Sequence, residues 1–132
     1  MTARVLIIGG YGNFGGFIAR SLSQEPDITV IIAGRSEEKA RAFAQTLRAE
    51  WAVLDIRTGL DAALEKITPD IVIHTSGPFQ GQSYDVAEAC IRHKCHYIDL
   101  ADGRAFVSDI GRLDRSARDS GVLAVSGASS VP

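Results

Sequence analysis

Short apolar runs alternate along this chain with stretches whose apolar residues recur every three or four positions. The first run, Val5-Leu6-Ile7-Ile8, is continuous and empties into glycines, the pattern of a strand buried on both faces. Beyond it, Phe14, Phe17, Ile18, Ser21 and Leu22 lie at helical spacing and predict a helix from Asn13 that stops before Pro26. The β-branched run Ile28 to Ala33 predicts a second strand, ending in Gly34-Arg35-Ser36. Ser36 can cap a helix with Lys39 in its first turn and Ala40, Phe43, Ala44 and Leu47 on its inner stripe. Trp51 to Asp55 reads as a third strand, and Leu60, Ala63, Leu64 and Ile67 mark a short helix closed by Thr68-Pro69. Asp70 to Thr75 predicts a fourth strand rising into the turn Ser76-Gly77-Pro78-Phe79, and Gln82 or Ser83 starts a helix towards Lys94. His96 to Leu100 is a fifth strand, Phe106 to Ser120 a helix, and Val122 to Val125 a sixth strand.

Strands that alternate with helices, with no hairpin signal between them, imply right-handed crossovers and one parallel sheet covered on both faces. The expected class is α/β, a doubly wound sheet of about six strands in the order 3-2-1-4-5-6. The small-residue stretch Ser126 to Ser130 is the only loose segment.

The turn after the first strand, Gly9-Gly10-Tyr11-Gly12-Asn13-Phe14-Gly15, carries the chemistry. Glycines permit a sharp turn and let the backbone approach a pyrophosphate, whose charge is met by free N–H groups and the positive end of a helix dipole. Gly10, Gly12 and Gly15 form G-x-G-x-x-G, whereas Gly9, Gly12 and Gly15 form the looser G-x-x-G-x-x-G. Gly9 directly follows the apolar run, which favours the second register. Gly15 is expected to bring the helix close to the strand, and a side chain at Gly12 to fill the phosphate's space. An ordinary glycine-rich connection is the competing reading; the placement between strand and helix favours a dinucleotide site.

With 132 residues, 45% of them hydrophobic and 23% charged, the chain suits one packed domain. A net charge of -2 and a pI near 5.9 give no basic excess for nucleic acid. No apolar run reaches the roughly 18 residues of a membrane span, and Val5 to Ile8 belongs to the core, so a cytoplasmic location is expected. Cys90 and Cys95 lie near one helix end, five residues apart, and are expected to point in separate directions.

An acidic residue near the end of the second strand would hold the ribose hydroxyls of NAD. Here Ala33-Gly34-Arg35-Ser36 offers a guanidinium, a hydroxyl and a helix N-terminus to the 2′-phosphate of NADP instead. Lys39 is a second candidate cation. The expectation is therefore NADP, with NAD second, against the plainer reading of Arg35 as a solvated surface residue. Asp55 can accept from the adenine amino group or cap the next helix. Ser76, Gly77 and Pro78 stand where strand order reverses and ligands bind in open sheets, although a plain strand-ending turn also explains them.

Other groups look chemical. Cys90, His93, Cys95 and His96 have metal-ligand chemistry, but their spacing spreads them over a helix end and a strand start, and no metal is expected. His74, mid-strand, reads as buried or at a cofactor edge rather than as a base. Asp99 and Asp102 stand on the cofactor edge of the sheet, to touch substrate or to cap the next helix. Tyr11, Tyr84 and Tyr97 are followed four residues later by Gly15, Glu88 and Ala101, so the Tyr-Lys pair of short-chain reductases is absent.

Together, Gly9 to Gly15, Ala33-Gly34-Arg35, Ser76-Gly77-Pro78-Phe79 and His96-Tyr97-Ile98-Asp99-Leu100 resemble the N-terminal domain of the saccharopine dehydrogenase and reductase family. The resemblance covers essentially the whole chain. It implies a Rossmann domain for NADP or NAD, with the glycine turn on the pyrophosphate, Arg35 and Ser36 on the adenosine side, and Ser76 to Pro78 near the nicotinamide. Family members continue into a second domain that supplies dimer contacts and substrate groups. The expectation is thus a piece of a two-domain oxidoreductase, a homodimer when complete, acting on an unknown small molecule. Its catalytic residues are not assigned, and the isolated piece is expected to be inactive. The alternative is a non-catalytic NADP-binding sensor.

Overall fold

The computed structural model describes residues 2–76, 83–101 and 104–128. Its elements are β1 (Ala3–Ile8), α1 (Asn13–Leu22), β2 (Ile28–Gly34), α2 (Glu37–Leu47), β3 (Glu50–Val53), α3 (Leu60–Ile67) and β4 (Ile71–His74). There follow α4 (Asp85–Arg92), β5 (His96–Asp99), α5 (Arg104–Asp109), a 3₁₀ turn (Ile110–Leu113), α6 (Asp114–Ser120) and β6 (Ala124–Val125).

All six strands form one parallel sheet in the order β3-β2-β1-β4-β5-β6, the order expected of the alternating pattern. Because β1 is central, its last residue Ile8 stands opposite Ala33 on one side and His74 on the other. The strand ends that follow these residues share one edge, and the winding reverses between β1 and β4. The crevice at that point is where open sheets of this kind bind ligands.

Successive strand residues point to opposite faces, which splits the core in two. Val5, Ile7, Val30 and Ile32 pack with Ala19, Ala40 and Ala44 of α1 and α2. Leu6, Ile8, Ile31 and Val72 pack with Leu60, Leu64, Val86, Cys90 and Phe106 on the other face. Both faces of the central strands are therefore covered, as their continuous apolar runs require. At the β3 edge, Trp51 and Val53 are exposed.

Two expectations change. The apolar pattern that predicts α1 describes its inner face only in part: Ile18 and Leu22 pack against the core, but Phe14 and Phe17 are 73% and 69% exposed, whereas Gly15, Gly16 and Ala19 are buried. The helix lies so close to the glycine turn and to the Phe43 ring that only small residues fit beneath it. The single helix expected from Phe106 to Ser120 is instead α5, a 3₁₀ turn and α6. Gly111 lies in that break, where glycine costs a helix about 1 kcal/mol relative to alanine.

Candidate functional site

The glycine turn is locked from both neighbouring strands. Gly9 has φ 80°, a left-handed conformation natural to glycine, and its N–H donates to the Ala33 carbonyl at 2.8 Å. Gly12 N–H donates back to Gly9 O at 2.9 Å, and Gly16 N–H to Gly12 O at 2.7 Å begins α1. From β4, Thr75 Oγ1 donates to Ile8 O at 2.7 Å and lies 3.3 Å from Gly9 O. A Cβ at Gly15 would run into Gly9 O and stand 2.7 Å from Thr75 Oγ1. Gly15 thus brings α1 against the turn and Thr75, and the Gly9, Gly12, Gly15 register carries the geometry. Gly10 lies over Ile7 O and the Ile32 side chain.

Gly12 differs from the others. Its φ of -77° suits any residue, and a Cβ there would meet only Gly9 O, at 3.3 Å. A side chain would otherwise stand in the cleft. No side chain caps α1 and its first turn holds no acidic residue, so the first N–H groups face outward at the positive end of the dipole. That combination fits a phosphate group.

At the end of β2, Gly34 lies under the Tyr11 ring, and a Cβ at residue 34 would collide with that ring. Ser36 N–H donates to Tyr11 Oη at 3.1 Å, while Ser36 Oγ accepts from Lys39 N–H at 3.2 Å and caps α2 as expected. Arg35 is exposed and lines the cleft; Lys39 is exposed on α2. Across the cleft, Asp55 neither caps α3 nor stands free. Its Oδ1 accepts from Arg57 N–H at 2.9 Å and Arg57 Nε at 3.2 Å, and Oδ2 from Nη2 at 3.3 Å. The Arg57 hydrogen bonds hold the Asp55 carboxyl below its usual range, with a smaller pull from the Arg35 guanidinium.

These elements enclose a cleft of about 610 Å³ along the carboxyl edge of the sheet. Gly9, Tyr11, Gly12, Gly34, Arg35, Asp55 and Ser76 all line it. Gly10, Asn13, Phe14, Gly15, Ser36 and Lys39 do not, because they pack beneath the turn, cap α2 or turn to solvent. Gly77 and Pro78, like Asp102, lie outside the described residues. Sequence reasoning missed Thr75, Arg57, Ser83 and Asp85 at this cleft. An aspartate two residues before an arginine was the only local signal among them.

Asp99 is neither a substrate contact nor a helix cap. It is fully buried and accepts from Tyr97 Oη at 2.6 Å, Ala101 N–H at 3.0 Å, Ser126 Oγ at 2.9 Å and Gly127 N–H at 2.9 Å. It ties the end of β5 to the chain leaving β6, and burial together with this carboxylate pushes the Tyr97 phenol up. His74 is buried, with Nδ1 accepting from Ser76 N–H at 3.4 Å.

The cysteines correct a further expectation. Lys94 turns left-handed at φ 56°, and Cys95 N–H folds back to donate to Cys90 O at 2.9 Å. The two cysteines lie together in the core as free thiols, and donation from the Cys90 S–H to Cys95, together with burial, pushes the Cys90 thiol up. His93 instead faces Asp61 at 2.9 Å, and His96 Nδ1 accepts from Leu123 N–H at 3.0 Å. Among the described residues no group of three or more His, Cys, Asp or Glu is placed to hold a metal, and no helix is long and apolar enough to cross a membrane.

A parallel sheet of this order, with an uncapped glycine-lined helix start at its switch point, defines a Rossmann-type dinucleotide-binding domain. Residues 5–125 match the family model described as the saccharopine dehydrogenase NADP binding domain. The chain belongs to that family and is a pyridine-nucleotide-binding domain of saccharopine dehydrogenase-like oxidoreductases.

Similar solved structures include the apo saccharopine dehydrogenase (L-Glu forming) of Saccharomyces cerevisiae, with TM-score 0.73 and 23% identity over 96% of this chain and 27% of that one. GenD2 from gentamicin A biosynthesis, in complex with NAD, has TM-score 0.69 and 22% identity over 96% and 34%. The biliverdin reductase of Synechocystis sp. PCC 6803, in complex with biliverdin and NADP+, has TM-score 0.66 and 22% identity over 94% and 37%. At these identities the likeness shows the fold, and the chain spans well under half of each of these proteins. No curated protein sequence matches the chain.

Proposed function

We propose that this chain is the NADP-preferring cofactor domain of an oxidoreductase that moves a hydride to or from a small substrate. The observation that carries the preference is Arg35. It follows β2 directly, lines the same cleft as Gly9 and Gly12, and stands where an NAD site needs a carboxylate. In this reading the first turn of α1 holds the pyrophosphate. Arg35 and Ser36 meet the 2′-phosphate, with Lys39 as a more distant cation, and Asp55 and Arg57 border the adenine. Ser76, with Gly77 and Pro78 beyond it, borders the nicotinamide.

Bound NADP supplies the hydride chemistry. The chain's own residues bind and orient it. Tyr97 Oη donates to Asp99 and Tyr84 Oη to the Phe106 carbonyl, so both buried tyrosines are engaged away from the cleft. Substrate groups and proton transfer are therefore assigned to a second domain, which also supports a homodimer of the complete, cytoplasmic protein. The same engagement of tyrosines favours the sensor reading if no such domain exists in the gene.

Calorimetric titration tests the preference. NADPH is expected to bind at least about tenfold more tightly than NADH, because a charge-assisted guanidinium–phosphate pair is worth more than a neutral hydrogen bond. Arg35→Asp is expected to invert that order. Equal affinities in the unaltered chain would overturn the reading.

A further inference from the structure

Against the start of α2 rests the hydroxyl of Tyr11, which has an unused proton. Ser36 N–H precedes the helix and, like the other early N–H groups, has no intrahelical partner. Its acceptor is Tyr11 Oη, 3.1 Å away and 25 residues back in the chain. The contact is built rather than incidental, since the Tyr11 ring lies over Gly34 and any Cβ at residue 34 would collide with it. Tyr11, Gly34 and Arg35 all line the same wall of the cleft.

A phenol has one proton to donate and lone pairs to accept. Tyr11 uses a lone pair on Ser36 N–H, and among the described residues no acceptor takes its proton. The hydroxyl thus accepts from the helix start behind it and offers its O–H to whatever lies in front. Meanwhile the usual attraction of a helix N-terminus for an anion is weak at α2. Ser36 Oγ already accepts from Lys39 N–H, and Glu37 and Glu38 occupy the first turn. A phosphate arriving here therefore depends on side-chain donors: Arg35 and Tyr11 line the wall beside Gly34, and Ser36 behind them keeps its hydroxyl proton.

We propose that the Tyr11 hydroxyl donates a hydrogen bond to the 2′-phosphate of NADP, which makes Tyr11 a specificity-determining residue alongside Arg35. The proposal rests on the NADP reading above and adds a residue whose place in the glycine turn assigns it to the pyrophosphate side. Residues 11 and 34 then form a unit: the glycine at 34 exists to admit the ring at 11.

Tyr11→Phe keeps the ring and removes only the hydroxyl. The test titrates the unaltered and Tyr11→Phe chains with NADPH, NADH, adenosine 2′,5′-bisphosphate and 5′-AMP. The variant is expected to lose about tenfold in affinity for NADPH and for the bisphosphate, and less than about twofold for NADH and 5′-AMP, as for one hydrogen bond to a charged group. Equal losses for all four would reduce Tyr11 to a packing platform, unchanged NADPH binding would show that the hydroxyl contributes nothing, and tighter binding would show that it competes with the phosphate for Ser36; each of these results overturns the proposal. Gly34→Ala, which displaces the ring, is a second route and is expected to reduce the NADPH preference in the same direction, with unfolding temperature monitored in both variants. If the unaltered chain binds NADPH and NADH equally, the NADP reading itself fails. If it prefers NADPH and Tyr11→Phe keeps that preference in full, only the role of Tyr11 fails.

Discussion

The starts of α1 and α2 face the same cleft edge, and the same helix physics has opposite outcomes in them. At α1 the N-cap is Gly12, no side chain caps the helix, and the first turn holds no acid. At α2 the N-cap is Ser36, its hydroxyl accepts from Lys39 N–H, Tyr11 takes Ser36 N–H, and Glu37 and Glu38 meet the dipole. A helix start left open by its own sequence attracts an external anion; one with a side-chain cap and acids in its first turn meets its own dipole without a ligand. The difference underlies the proposed division of labour, in which α1 would bind the group common to both cofactors and the wall beside α2 would distinguish between them.

The largest effect is expected at Gly15. Gly15→Ala places a methyl against Gly9 O and Thr75 Oγ1, so α1 must move. Unfolding measurements should show a loss of about 1–3 kcal/mol, in the range of overpacked cores, and titration a loss of NADPH and NADH together. A variant that lost only NADPH would break the proposed division. Gly12→Val separates binding from folding, because its backbone angles suit valine and its surroundings are open except for Gly9 O. Stability is expected to stay within about 1 kcal/mol while both cofactors weaken at least about tenfold; retention of both affinities would remove the pyrophosphate from α1. Ser36→Ala is the mildest change. It should cost about 1 kcal/mol of stability, as lost N-caps do, and leave NADH binding within about twofold. A fall in NADH affinity as large as the fall in NADPH affinity would show that α2 also serves the common part of the cofactor.

Much of this was legible in the sequence. The alternation of runs contained the sheet order, since right-handed crossovers leave few ways to wind it. The register of the glycine turn followed from the position of Gly9 at the end of an apolar run, and the cap at Ser36 from residue type alone. The inner face of α1 was not legible. Phe14 and Phe17 match a core stripe by spacing, yet the close approach of α1 reverses the preference in favour of Gly15, Gly16 and Ala19. Asp99 resembled a site residue because it stands on the functional edge, and it proved to be a buried anchor for Ser126 and Gly127. Helical geometry points Cys90 and Cys95 in separate directions, and the left-handed turn at Lys94 folds the chain back and brings them together.

The sequence by itself determined the doubly wound order, the place of the glycine turn, and the replacement of a carboxylate by Arg35 after β2. Each of these depends on features a few residues long: periodicity, allowed backbone angles, and the charge of a single side chain. Only the tertiary structure decided that Tyr11 reaches Ser36, 25 residues away, and that Thr75 braces Ile8 across 67. Such contacts exist because parallel pairing sets β1 between β2 and β4. That neighbourhood belongs to the folded sheet and to no local stretch of the chain.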